Sequence, residues 1–425
     1  MANSKRKKAD GPIKVAIGCQ GGGMHAAFAV GVLTEILKGM DERKFDLVGL
    51  SGTSAGALCA LMVWYSLAPK KDSSGLAISG LPADAIYNLN HFWDDFVAST
   101  RTETALNSLT YGAFWAEERE VPLLGVNVPI LGINPYGAIY KAVTESLPSL
   151  GVRRHYFDLE EMLTKACPAF DSVDWQAVKM RVLIGASEIV NGFETVFDSA
   201  VNGAMQLENQ GMQLANRPKD EANYWRQRLP LSLRGVAASG TLPTLREAEQ
   251  IHGGHYWDGL YSQNPPVREF FDPPVHLSSA GSEHVPDELW IVRINPQQWP
   301  YAPKSNKDIQ DRQNELMGNL SLNKELDFIM TVNAWNKRYA DQQFAKDHKH
   351  VTVRTIKMKK ELADELSYSS KFNRSRAFMD EMRQEGREVA CDWLRSWPDV
   401  GCYPGDAAYR ESRATKSKRK LPKKK

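Results

Sequence analysis

One serine of this chain stands in surroundings that are typical of a catalytic nucleophile. Ser54 lies between two glycines in the segment Gly52-Thr53-Ser54-Ala55-Gly56. A segment of this kind occurs at sharp turns between a strand and a helix, where glycines let two elements pack closely and the serine hydroxyl stands clear of the backbone. We therefore interpret Ser54 as a nucleophile and the four residues around it as the turn that presents it.

Apolar runs on both sides of this segment predict the elements that must position the serine. Residues 45–50 read as a strand, and residues 57–64 read as a helix. The first turn of a helix carries unpaired amide groups and the positive end of the helix dipole, which favour negative charge. The predicted helix would therefore favour negative charge close to Ser54.

A second group of residues could bind an anion. The run Gly21-Gly22-Gly23-Met24 follows a predicted buried strand, residues 13–18, and precedes a predicted helix, residues 26–37. A strand, a glycine-rich turn and a helix N-terminus together suit either a phosphate or the oxyanion of a tetrahedral acyl intermediate. A plain turn that needs glycine only for its dihedral angles is the alternative. A P-loop does not fit, because no Gly-Lys-Ser or Gly-Lys-Thr follows the run.

The third group supplies a candidate base. Asp258 and Gly259 close the run G-G-H-Y-W-D-G, and Asn264 with two prolines follows shortly after. Upstream, the segment A-S-x-x-x-P, which contains Ser239, reads as the end of a helix of small residues that packs closely on a neighbour.

Four motifs follow one another along the chain: G-G-G, G-T-S-A-G, A-S-x-x-x-P, and D-G with its downstream Asn-Pro-Pro. In this order they resemble the patatin-like phospholipase family over residues 13 to 300. The resemblance implies a three-layer α/β/α fold with a mostly parallel sheet, a lipid substrate, and neither cofactor nor metal. It implies that Ser54 is the nucleophile and Asp258 the proton acceptor, acting as a dyad without histidine. The implied oxyanion hole consists of the backbone amides of Gly21, Gly22, Gly23 and Met24. Three positions depart from the usual family pattern: His25, Ala26 and Leu260.

Other site chemistries compete with the dyad. A Ser-Asp/Glu-His triad could use His348 or His350, although their polar surroundings are typical of a solvated surface. His252 and His255 raise the question of a metal site, but ligand companions at suitable spacing are missing, so we expect no metal.

We expect a lipid acyl hydrolase that cleaves carboxylic esters of phospholipids or related acyl lipids through an acyl-serine intermediate. Two other functions compete with it. One is an acyltransferase that uses the same acyl-enzyme. The other is a catalytically silent or ligand-gated lipid-binding regulatory protein.

Length and periodicity predict four segments. The 425 residues suffice for one large core with an appendage. Strand-like runs at 181–187 and 288–294 alternate with helical stretches, which favours an α/β catalytic domain over residues 11–300. Residues 301–409 read as a helical C-terminal extension, with amphipathic helices at 308–345 and 359–397. The remaining segments are a basic arm, residues 1–10, and a basic tail, residues 410–425.

The charge is unevenly distributed. The arm carries +3 and the tail +8, so that a net charge of +2 leaves −9 for the rest of the chain. We expect both the basic arm and the basic tail to be disordered and to contact the surface of an anionic membrane. We predict no specific nucleic-acid partner. The arm leads into the first strand without an apolar signal core, which predicts a cytoplasmic protein, peripheral at the membrane. Five scattered cysteines do not indicate a disulfide framework, and the sequence makes no prediction of oligomeric state.

Overall fold

The structure is a computed structural model that describes residues 12–42, 45–118, 136, 142, 144–156, 158–209, 225–243, 245–271, 285–299, 301–344 and 348–397. The basic arm, residues 1–10, and the basic tail, residues 410–425, lie outside the described residues. Their proposed disorder and membrane contact therefore stay predictions.

The described part of the chain contains eleven strands, nine of which form one sheet. The strands are β1 (Ile13–Cys19), β2 (Phe45–Thr53), β3 (Lys70–Lys71), β4 (Ala77–Ile78), β5 (Arg181–Glu188), β6 (Phe193–Asp198), β7 (Arg226–Pro230), β8 (Glu249–Ile251), β9 (Gly254–Asp258), β10 (Glu288–Arg293) and β11 (Thr352–Lys357). The main order is β11-β10-β1-β2-β5-β6-β7, and β3 and β4 form a separate hairpin. The first five strands of that order are mutually parallel, whereas β6 and β9 run antiparallel to β5 and β8 runs antiparallel to β9. The sheet is thus mostly parallel, as the sequence predicts.

Helices cover both faces of this sheet. They are α1 (Ala27–Asp41), α2 (Ala55–Leu67), α3 (Pro82–Phe96), α4 (Arg101–Glu118), α5 (Leu159–Ala166), α6 (Ser199–Asn209), α7 (Leu233–Ser239), α8 (Asn306–Arg338), α9 (Lys360–Glu365) and α10 (Arg376–Ser396). Among the described residues, no helix combines the length and the apolar character needed to cross a bilayer.

Alternation along the central strands separates two core layers. Val15 and Ile17 of β1 face a large core made with α1, α2, α3 and α10. Ala16, between them, faces a second core that contains Leu322 and Leu326 of α8. Successive side chains of a strand point to opposite faces, so each central strand is buried on both sides. This arrangement confirms the predicted three-layer α/β/α fold.

Most predicted elements form with small changes at their ends. β1, β2, β5 and β10 match the four predicted strands, and α1 and α2 match the two helices predicted around the glycine run and Ser54. The C-terminal region differs in two respects. The segment predicted as one helix, residues 359–397, contains two separate helices, α9 and α10, with a 3-10 turn at Ser369–Phe372 between them. Between its helices, β11 adds an edge strand beside β10, anchored by a buried ion pair of 2.7 Å between Arg354 and Glu288.

The last helix is packed tightly onto the first. α10 crosses α1 at two glycines: a Cβ at Gly31 would overlap the carbonyl oxygen of Arg383, and a Cβ at Gly386 would overlap that of Phe28. Such close backbone contact needs residues without side chains. The C-terminal helix is therefore part of the layer that covers β1 and β2.

Candidate active site

Ser54 lies at a sharp turn between β2 and α2. Its φ of 56° and ψ of −130° are unusual for a residue with a side chain, and backbone strain of this kind is typical of functional sites. Gly52 and Gly56 make the turn possible, since a Cβ at Gly52 would overlap the Gly56 carbonyl oxygen. The carbonyl of Ser54 accepts the amide of Ala57 at 2.9 Å, so the serine sits directly on the first turn of α2.

Strand β5 brings Asp258 to the same place. Thr53, the last residue of β2, pairs with Gly185, and Asp258, the last residue of β9, pairs with the next residue, Ala186. β2 and β9 thus pair with successive parts of β5 and meet where Gly185 is followed by Ala186. Ser54 and Asp258 therefore become neighbours although they are far apart in sequence.

Asp258 is almost completely buried, with 1% of its surface exposed. Desolvation raises the pKa of its carboxyl group to about 7. A side-chain hydrogen bond with Ser54, the amide of Leu260 at 2.8 Å and the charge of Lys371 all favour the carboxylate and lower the pKa from what burial alone would give. The carboxyl group is therefore more basic than a free aspartate and is in contact with the serine hydroxyl.

The glycine-rich loop packs directly against the serine. A Cβ at Gly21 would lie 2.7 Å from the Cβ of Ser54 and 2.5 Å from the Thr53 carbonyl oxygen. The amide of Gly21 is engaged, because it donates to Asn264 Oδ1 at 2.6 Å. Gly23 has a φ of 56° and begins a short 3-10 turn, Gly23–Ala26.

The remaining amides of this loop differ from that of Gly21. Within the described part of the chain, the amides of Gly22, Gly23 and Met24 donate no hydrogen bond, as expected for the start of a helical turn. All three residues are half-buried. Of the four predicted oxyanion-hole residues, these three have amides that could face a substrate oxygen.

Ser239 and Thr53 fix the turn that carries the serine. The hydroxyl of Ser239 accepts the amide of Ser54 at 2.9 Å and donates to the carbonyl of Gly185 at 2.5 Å. The hydroxyl of Thr53 donates to the carbonyl of Gln263 at 2.6 Å. The A-S-x-x-x-P motif is thus in contact with the Ser54 backbone, which its sequence did not indicate.

The histidine after the glycine run is buried and neutral. His25 is 3% exposed, and its Nε2 lies 2.7 Å from Ser370 Oγ. Desolvation and the charge of Lys371 hold its pKa well below the usual value. Lys371 of the C-terminal region supplies a positive charge beside it. This lysine was not predicted, because nothing in the segment S-S-K-F relates it to the glycine run.

The other histidines considered from the sequence lie elsewhere. His348 is exposed, stacks on Phe344, and precedes β11 at the amino ends of the parallel strands, whereas Ser54 follows the carboxyl end of β2. His350 lies on the same side, just before β11. His252 and His255 belong to the β8–β9 hairpin, and no cluster of three or more potential metal ligands occurs within the described ranges.

The arrangement combines a hydroxyl, a carboxyl group of raised basicity and a set of half-buried amides. Such a set can take a proton from the hydroxyl while it adds to a carbonyl and can stabilise the negative oxygen that forms.

Comparison with known proteins gives a family match. A family model described as Patatin-like phospholipase matches residues 19–271, more than half of the chain. A comparison with curated proteins found no match.

Two proteins of known structure are similar to this chain over 91% of its length. VipD from Legionella pneumophila is 12% identical with a TM-score of 0.37, and 67% of its chain is covered. The type III effector ExoU is 10% identical with a TM-score of 0.28, and ExoU with SpcU from Pseudomonas aeruginosa is 11% identical with a TM-score of 0.27. In both ExoU structures 53% of that chain is covered, so this chain spans about half its length. These scores are too low to carry an argument, and the family model alone supports the assignment.

Proposed function

The chain belongs to the patatin-like phospholipase family, and from this premise we propose that it is a serine lipid acyl hydrolase that uses Ser54 as nucleophile and Asp258 as base. The observation that supports the proposal is the pairing of Thr53 and Asp258 with consecutive residues of β5, which makes Ser54 a neighbour of a buried carboxyl group.

In the proposed first step, the Asp258 carboxylate accepts the hydroxyl proton of Ser54 while Oγ attacks the carbonyl carbon of a lipid ester. The carbonyl oxygen becomes negative and is stabilised by the amides of Gly22, Gly23 and Met24, helped by the N-terminus of α2. The alcohol then leaves with the proton from Asp258, and the acyl group stays on Ser54. Asp258 then deprotonates a water molecule, which attacks the acyl-serine carbonyl, and as the acyl–Oγ bond breaks Asp258 returns the proton to Ser54 Oγ and the fatty acid is released.

The raised basicity of Asp258 suits this role. A general base works best when its pKa lies near the operating pH, and burial brings that of Asp258 to about 7. Burial also keeps solvent away from the carboxyl group, which favours proton exchange with the serine hydroxyl.

The test is release of fatty acid from mixed phospholipid vesicles by the purified protein. We expect Ser54→Ala and Asp258→Asn to lose activity by at least about a hundredfold, in the range typical of a lost general base. His348→Ala and His350→Ala are matched controls that should keep wild-type activity. Labelling of Ser54 by a fluorophosphonate probe without fatty-acid release would disprove the substrate class but not the nucleophile. If the wild-type protein neither releases fatty acid nor is labelled at Ser54, the result would favour a silent lipid-binding protein.

We further propose that the basic arm and tail bring the protein to anionic membrane. Each basic residue near such a surface contributes on the order of 1 kcal/mol. Removal of residues 410–425 should weaken sedimentation with anionic vesicles and leave binding to neutral vesicles unchanged. Unchanged binding of the truncated protein to the anionic vesicles would contradict this proposal. A truncation that weakened only the binding to nucleic acid would contradict it as well.

A further inference from the structure

Lys371 reaches the glycine-rich loop from the C-terminal region. It belongs to a short 3-10 turn, Ser369–Phe372, that lies on the loop. A Cβ at Gly23 would lie 3.0 Å from the Cβ of Lys371 and would overlap its carbonyl oxygen. The lysine is therefore packed against the same loop that carries the candidate oxyanion-hole amides.

The ammonium of Lys371 is linked to this loop through one side chain. Its Nζ donates to Asn295 Oδ1 at 3.2 Å, and Asn295 Nδ2 donates to the carbonyl of Gly21 at 3.1 Å. A second acceptor, Asn314 Oδ1 on α8, fixes the ammonium from the other side. The position of the loop beside Ser54 thus depends in part on a residue that comes late in the chain.

Several titratable groups face this ammonium. Asp311 and Glu315 of α8 and Asp258 of β9 act on it electrostatically, and the neutral His25 faces it from the loop. Desolvation lowers the pKa of Lys371 to about 8, while the three carboxyl groups oppose this effect. The group is half-buried and lines a small cavity of about 20 Å³, which has space for about one water molecule.

The attraction between Lys371 and Asp258 is mutual. The positive charge favours the carboxylate form of Asp258, whose other neighbours include Ser54 and Tyr261. A nearby opposite charge favours ionisation even where burial opposes it. Loss of this charge would make Asp258 harder to ionise.

We propose that Lys371 is a positioning residue of the active site, whose ammonium orients the glycine-rich loop through Asn295. This inference rests on the proposed hydrolase function. It assigns to the C-terminal region a part in positioning the loop beside Ser54.

The pH profile of kcat/KM separates this role from a purely structural one. In the wild type, activity should rise as Asp258 ionises near pH 7 and fall as Lys371 loses its proton near pH 8. Lys371→Met should lower the maximum about ten- to a hundredfold, because the loop is displaced. It should also abolish the fall at high pH and move the rise to higher pH.

Two further variants make the test specific. Lys371→Arg keeps a charge at all pH values used, so the rise should stay near its wild-type position while the fall at high pH disappears. Lys360→Met removes an exposed lysine on α9 and should leave the whole profile unchanged. If Lys371→Met has the circular dichroism spectrum of the folded wild type and also the wild-type pH profile of kcat/KM, the proposal is overturned.

Amide hydrogen exchange of residues 20–26 tests the positioning without any activity. Exchange should be faster in Lys371→Met than in the wild type and unchanged in Lys360→Met. If the wild type releases no fatty acid but the loop amides still respond, the hydrolase proposal fails and the positioning stands. Unchanged exchange in the Met variant would overturn the positioning, whatever the activity.

Discussion

The backbone amide of Ser54 donates a hydrogen bond of 2.9 Å to the hydroxyl of Ser239. The same hydroxyl donates to the carbonyl of Gly185, the residue of β5 that pairs with Thr53. One small side chain therefore ties the strained turn to the sheet.

Replacement of Ser239 by alanine tests this link. Ser239→Ala leaves the Ser54 amide and the Gly185 carbonyl without their partner, which should cost about 1–3 kcal/mol of unfolding free energy. Activity should fall by at least about tenfold, because the nucleophile is no longer held in place. Ser66→Ala removes a comparably buried hydroxyl at the far end of α2 and should leave activity unchanged. Equal activities in both variants would show that the link is dispensable.

Gly21 sets the distance between the glycine loop and the serine. In Gly21→Ala the new methyl group would contact Ser54 Cβ at 2.7 Å and push the loop away. We expect fatty-acid release to drop by about a hundredfold or more, as a misplacement of this size can do. Gly112→Ala is the control, because no atom lies within 4 Å of its added Cβ. It should keep full activity and gain about 0.5–1 kcal/mol of stability as a helical alanine.

Asp258 should reduce stability in the pH range where it works. Its pKa is about 7 in the folded protein and near 3.8 when exposed, so the folded state binds a proton more tightly than the unfolded state. The penalty is present above pH 7 and disappears as the pH falls from 7 towards 4. Thermal unfolding should therefore show Asp258→Asn to be more stable than the wild type at pH 8, by up to a few kcal/mol, and the difference should shrink at pH 4. A constant difference at both pH values would contradict this reasoning.

The helix crossing of α1 and α10 predicts a stability effect far from the serine. Gly386→Ala would bring a methyl group onto the Phe28 carbonyl oxygen, and overpacking of this kind costs about 1–3 kcal/mol or more. Gly39→Ala, on the other end of α1, meets only ordinary contacts beginning at 3.5 Å. Urea denaturation should show a lower midpoint for Gly386→Ala and no loss for Gly39→Ala. If both midpoints equal that of the wild type, the crossing is not as tight as described.

The parts of the fold that could be predicted from sequence are those with local signals. Continuous apolar runs marked β1 and β2 because strands buried on both faces need them, and the glycines around Ser54 marked the turn. The edge strand β11 was not predicted. Its β-branched run V-T-V-R-T-I-K was a usable signal, but it lies between two charge-rich helical patterns.

Other parts of the candidate site had no local signal. The register of β5, which aligns Thr53 with Asp258, depends on pairing between strands far apart in sequence. Lys371 meets the glycine loop only because α10 folds back onto α1, and no periodicity in its own segment reports that contact. The D-G motif and the family resemblance both pointed to Asp258 as a candidate base, but neither indicated the lysine.

The return of α10 onto α1 has a consequence for protein synthesis. Ser54 and the glycine loop leave the ribosome early, whereas Lys371 and α10 follow Asp258 by more than a hundred residues. At about 5–20 residues per second, that interval lasts on the order of ten seconds. During it the nascent chain carries the nucleophile without the helix that packs on α1 or the lysine that touches the loop. The proposed hydrolase is therefore assembled in an order that delays a complete site until translation has passed α10.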